Sequence, residues 1–149
     1  IAVIDFARSV LGLSQADSTE FNPDTPDPII HLMDDQQGKI QTGGTMRLGA
    51  YDCRLTEGTK ARALYGRQDV VERHRHRFEL NNDYRGRLEA AGMAVAGVNP
   101  ERDLVEVVEL KNHPWFVACQ YHPEFKSRPN RPHPLFAGLV GAAIEYKGK

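Results

Sequence analysis

Apolar residues recur at helical spacing at the start of the chain, where Ile1, Ile4, Ala7 and Leu11 share one face and Gly12 follows as a C-terminal stop. This predicts a helix over 1–11. Its first four backbone N–H groups have neither an N-cap residue nor a turn ahead of them. Two readings are open: a frayed end, or a functional loop just upstream. Ser14 to Pro28 contains Pro23, Pro26 and Pro28, which exclude regular structure and predict an extended loop. Ile29 to Met33 reads as a short strand and Gln36 to Gly44 as a polar connection. Thr45 to Leu55 alternates as a strand should, with Gly43-Gly44 leading into it. Lys60 to Tyr65 predicts one or two helical turns ended by Gly66.

Val70 to Leu80 reads as a second long strand, heavily charged, and Asp83 to Ala91 as a helix closed by Gly92. Three runs rich in Val and Phe follow at hairpin-like spacing: Met93 to Val98, Leu104 to Leu110 and Trp115 to Tyr121. Pro134 opens a last helix through Tyr146, at a position where its missing N–H costs little. The pattern is mixed α and β, with no internal repeat and no boundary within the 149 residues, so one domain is expected.

Composition narrows the partners. The net charge of -1 offers no global attraction for nucleic acid or an anionic membrane, and no apolar stretch approaches a membrane span. Two cysteines make no disulfide framework, which favours a reducing, cytoplasmic setting.

Candidate chemistry concentrates in two segments. Phe116 to Tyr121 leads into His122-Pro123-Glu124. In an extended segment, residues two apart face the same side, so an imidazole and a carboxylate could serve one site as base and orienter. The alternative is a surface turn. The second segment is Glu72-Arg73-His74-Arg75-His76-Arg77-Phe78-Glu79, in which alternation sends Arg73, Arg75 and Arg77 to one face and His74 and His76 to the other. Guanidinium groups suit a carboxylate or phosphate. Nucleic-acid binding and a solvated charged face are the other readings, and the arginines argue against metal binding by His74, His76 and His122. Glu20 could bind an amine or cap a turn. Cys119 lies in an apolar run and Cys53 beside Asp52, neither in a setting that activates a thiol, so both are rejected as nucleophiles.

With Asp17-Ser18-Thr19-Glu20-Phe21, Gly43-Gly44-Thr45-Met46-Arg47-Leu48-Gly49 and the run from His113 to Phe136, these segments resemble the glutamine amidotransferase domain of the CTP synthase family, from Ile1 to about Lys147. The resemblance implies a partial class I amidotransferase (flavodoxin-like) α/β domain, with a mixed sheet flanked by helices and its N-terminal part missing. It implies His122 and Glu124 as catalytic residues, and Glu20 and Arg77 as holders of the amino and carboxylate groups of glutamine, with no metal site.

In that family a cysteine thiolate releases ammonia from glutamine. The ammonia passes to a synthase domain, where ATP and magnesium activate UTP for conversion to CTP in pyrimidine biosynthesis; GTP is the activator and a homotetramer the assembly. The family's nucleophile lies in a Gly-x-Cys-Leu-Gly-Met-Gln elbow that would fall just ahead of Ile1. The 149 residues alone are therefore expected to be inactive and to contain no cofactor site. Asp17 stands where the family has asparagine. The alternative is a catalytically dead module that binds glutamine or regulates.

Overall fold

The computed structural model describes residues 1–32 and 46–148. In chain order it runs α1 (Ala2–Ser9), β1 (Ala16–Ser18), β2 (Asp27–Leu32), β3 (Arg47–Leu55), α2 (Lys60–Tyr65), β4 (Asp69–His76), β5 (Phe78–Leu80), α3 (Arg85–Ala90), β6 (Met93–Asn99), β7 (Leu104–Leu110), β8 (Val117–Cys119) and α4 (Pro134–Lys147). Single 3-10 turns occur at Asn82–Tyr84 and Pro123–Phe125. The predicted connection Gln36 to Gly44, the end of the strand at Met33 and the Gly43-Gly44-Thr45 lead lie outside the described residues.

The described residues form two sheets. The larger has the order β4-β3-β6-β7-β8, and every neighbouring pair in it is antiparallel. Its last three strands are the hairpin series expected from the spacing after Met93. The smaller, of order β1-β2-β5, is mixed: β1 pairs parallel with β2, and β2 antiparallel with β5.

Period-two alternation fixes β4, where Val70, Glu72 and His74 are buried while Val71, Arg73 and Arg75 are exposed. β7 is instead buried on both faces: Val105, Glu106, Val107, Val108 and Glu109 are all inside. One core cluster (Cys53, Leu55, Val70, Ala96, Val107, Tyr121) packs one face of the large sheet against Ala61 of α2 and Leu135 of α4. A second (Phe6, Leu80, Leu88, Met93, Val105, Val108) joins the other face to α1, α3 and the small sheet.

Two expectations are corrected. The Ser14–Pro28 loop contains β1, and β2 begins ahead of Pro28. Proline is tolerated there because Pro28 lies at the start of the strand and the β5 pairing begins only at Ile30. The long strand over 70–80 breaks at Arg77 into β4 and β5, which belong to different sheets. Smaller differences concern element ends. The helix expected over 83–91 opens with a 3-10 turn, and the strand expected over 115–121 is regular only at Val117–Cys119, with Phe116 O and Gln120 N–H bonded to β7 at its ends. α2 ends at Gly66 with φ 65°, the left-handed cap that glycine takes without strain.

Candidate active site

β8 carries the chain to Tyr121, and the 3-10 turn at Pro123–Phe125 then reverses it, with His122 as the residue ahead of the turn. His122 Nδ1 lies 2.7 Å from Glu124 Oε1. The pair is thus joined by a turn and not by strand alternation, because Pro123 starts a 3-10 helix where extended backbone was expected. A hydrogen bond to the Glu124 backbone and the contact with His122 hold the Glu124 carboxyl below the usual range, so it is an ionised acceptor. Nδ1 must then carry the hydrogen, which leaves Nε2 as a free base. The two side chains are 38% and 55% exposed, so the pair is open to a reactant. The His122 backbone N–H donates to Arg73 O on β4 at 2.8 Å, which fixes where the turn sits.

Glu20 and Arg77 face one cleft of about 760 Å³, lined also by Phe21, Arg75, Cys119 and Gln120 among others. Glu20 follows β1, its backbone N–H donating to Ser18 Oγ at 3.2 Å. Arg77 occupies the break between β4 and β5, where a residue leaves both sheets and its side chain is free to reach solvent. A carboxylate and a guanidinium across one cleft match the ammonium and carboxylate of a free amino acid. His122 and Glu124 are not part of this lining; Gln120, two residues earlier, is. Of the four sequence-predicted residues, the structure brings His122 and Glu124 into contact and sets Glu20 and Arg77 on the lining of one cleft.

Both cysteines are poor nucleophiles. Cys53 is buried, and burial pushes its thiol up. Burial likewise pushes the Cys119 thiol up to about 12, with the Glu72 and Glu124 carboxylates adding to the effect. Among the described residues, no group of three or more His, Cys, Asp or Glu side chains is placed to hold a metal ion.

Behind the cleft lies a buried charge cluster that the sequence did not reveal. Arg47 Nη1 bonds Glu79 Oε1 at 3.1 Å and Arg47 Nη2 bonds Glu106 Oε1 at 2.7 Å, all three side chains being buried. His76 Nδ1 is 3.2 Å from Phe78 O, and His74 Nδ1 is 2.9 Å from His76 Nε2. A carbonyl only accepts, so His76 Nδ1 donates and its Nε2 must accept from His74 Nδ1. His74 Nε2 is then a bare lone pair facing Glu106 Oε2 at 3.6 Å. Two acceptors meet there unless Glu106 is protonated, and burial does push the Glu106 carboxyl up. Burial also holds His74 and His76 neutral, with pKa lowered to about 3 and about 4.

The fold is that of a known glutaminase domain. It superposes on the Trypanosoma brucei CTPS glutaminase domain with bound acivicin with a TM-score of 0.90 and 37% identity, over 97% of this chain and 56% of that one. Residues 1–142 match the family described as Glutamine amidotransferase class-I. The chain belongs to the class I glutamine amidotransferases. Among curated relatives it is 57% identical over 148 residues to the CTP synthase of Moorella thermoacetica, covering 99% of this chain and 28% of the relative. It is 61% identical over 146 residues to that of Symbiobacterium thermophilum, covering 98% and 27%. The chain thus spans little more than a quarter of the length of the curated relatives it matches.

Proposed function

We propose that the chain is the glutamine-hydrolysing part of a CTP synthase and supplies ammonia for the ATP-dependent conversion of UTP to CTP. The observation that carries this reading is the His122 Nδ1–Glu124 Oε1 contact of 2.7 Å, which leaves Nε2 as a base two residues after Gln120, a lining residue of the cleft that bears Glu20 and Arg77. Arg77 would bind the α-carboxylate of glutamine and Glu20 its ammonium. Neither cysteine here suits the role of nucleophile, so the thiol comes from outside these residues. His122 Nε2 takes the S–H proton, and the thiolate attacks the carboxamide carbon. The same proton passes to the leaving nitrogen, which departs as ammonia and leaves a glutamyl thioester. Water then gives a proton to Nε2 as it attacks the thioester, releasing glutamate and returning the thiol. ATP, magnesium and the GTP activator would act with a synthase domain outside these residues, and no step above passes through them.

The test uses the full-length protein that carries this chain. His122→Ala should lower glutamine-driven CTP formation about a thousandfold or more while ammonia-driven formation stays intact. Arg77→Ala should mainly raise the glutamine KM, because it binds ground state and transition state alike. Equal loss of both activities in His122→Ala would refute the reading.

A further inference from the structure

Glu72 belongs to the inward face of β4 and is 1% exposed, yet it is an ionisable residue with a crowd of donors. Its Oε1 accepts from Lys126 Nζ at 3.1 Å, from Tyr65 Oη at 3.1 Å and from His133 Nε2 at 3.3 Å. His133 Nδ1 accepts the Leu135 N–H and so caps α4, which places the imidazole hydrogen on Nε2, where it serves Glu72 or Tyr65. Burial pushes the Glu72 carboxyl up, but the bonds from His133 and Lys126 outweigh it and hold it ionised.

Lys126 is the residue that closes the turn containing Glu124. Its backbone N–H donates to Pro123 O at 3.1 Å, and its ammonium reaches back to Glu72 Oε1 and to Val71 O. At the other end of the turn, the His122 N–H donates to Arg73 O. Val71, Glu72 and Arg73, three successive residues of β4, therefore clamp the His122–Glu124 turn at both of its ends. Glu124 itself is more than half exposed, so its position follows from the turn that carries it.

We propose that Glu72 and Lys126 are positioning residues: the buried Glu72 carboxylate, acting through the Lys126 ammonium, sets the Glu124–His122 geometry and so the turnover of glutamine. Neither touches the reacting atoms. The inference rests on the proposed function of His122 and Glu124. A pair joined through two flexible side chains is sensitive to small displacements, and a shift of about 1 Å can cost up to about a hundredfold in rate. Partial release of the turn by loss of one ammonium should cost roughly tenfold.

The experiment measures glutamine hydrolysis by the full-length protein as Lys126→Met, Lys126→Arg, Glu72→Gln and His122→Ala. Lys126 is partly exposed, so Lys126→Met tests the inference even where the buried change Glu72→Gln prevents folding. The expected result is a roughly tenfold lower kcat in Lys126→Met with the glutamine KM changed less than about twofold, and recovery of most of that loss in Lys126→Arg, since Arg binds no substrate here and only restores the clamp. A kcat unchanged in Lys126→Met while His122→Ala abolishes hydrolysis would overturn the inference and leave the proposed function standing. So would a loss confined to KM, or one that Lys126→Arg fails to recover. Full hydrolysis by His122→Ala would overturn the proposed function and the inference with it.

Discussion

Replacing Glu79 by Gln changes how stability depends on pH, and the structure gives the sign and size. Glu79 is fully buried with its Oε1 on Arg47, but the same guanidinium also serves Glu106, so one cation faces two carboxylates. Burial pushes the Glu79 carboxyl up from its ordinary 4.5 to about 7, against the pull of Arg47, and the Glu106 charge adds to the rise. A raised folded-state pKa means that the folded protein holds its proton more tightly than the unfolded chain. The contribution to stability is therefore full below about 4.5 and is lost as pH rises through about 7. At about 1.4 kcal/mol per tenfold change in proton affinity, the whole titration is worth about 3 kcal/mol.

Gln cannot titrate, keeps an acceptor for Arg47 and nearly keeps the volume. The difference in unfolding free energy between the original protein and Glu79→Gln should therefore fall by about 2–3 kcal/mol from pH 5 to pH 8, in the direction that favours the variant at high pH. Urea unfolding followed by the fluorescence of Trp115, the single tryptophan of the 149 residues, measures it at each pH. Other titrating groups are common to both proteins and cancel to first order in the difference, and His76, whose Nδ1 lies 3.4 Å from Glu79 Oε1, is held neutral by burial over this range. Curves that run parallel within about 0.5 kcal/mol would show that Glu79 is ionised throughout, and would refute the argument that one arginine cannot discharge two buried carboxylates.

Two further outcomes follow from the same packing. Glu106→Gln should cost about 1 kcal/mol or less, far below the ~3–5 kcal/mol of breaking a buried ion pair, because the amide keeps an acceptor for Arg47 Nη2 and removes one of two carboxylates that share a single guanidinium; urea unfolding at neutral pH checks it. Gly97→Ala should cost about 1–3 kcal/mol by overpacking. A Cβ there would lie 2.8 Å from Cys53 Sγ and 3.1 Å from both Leu55 Cδ2 and Val107 Cγ2. Adding Cys53→Ala should remove most of that cost, and purely additive losses in the double variant would contradict it.

Elements governed by local chemistry were legible. Gly66 ends α2, Pro134 starts α4, and the alternation over β4 correctly sends Arg73 and Arg75 out and His74 in. What failed depends on distant partners. β1 is three residues long and exists only because β2 pairs with it, and the break at Arg77 reflects a change of sheet that periodicity cannot register. The charged clusters were missed for the same reason, since Arg47, Glu79 and Glu106 come from three separate strands. One signal was available for Glu72. It shares the inward parity of Val70 and His74, and an acid at an inward position calls for a buried partner. Lys126 carries no such mark, because its role comes from a turn whose geometry the tripeptide alone does not announce.

The break at Arg77 also explains why so much charge is buried beside it. Among the described residues, β4 pairs with β3 in the large sheet and β5 with β2 in the small one, so no backbone ladder crosses from one sheet to the other at this joint. Apolar contacts such as Leu80 with Val105 and Val108 are non-directional and tolerate sliding. The Arg47 fork does not: it holds Glu79 of β5 and Glu106 of β7 from β3, and so fixes the two sheets in angle as well as distance. His76 closes the joint from the other side through Phe78 O. The residue between these anchors is Arg77, whose exposed side chain points from a backbone held on both flanks. Buried charge is an expensive way to stabilise a fold; what this cluster adds over apolar packing is direction, since the forked guanidinium and the His76–Phe78 contact fix the chain on both sides of Arg77.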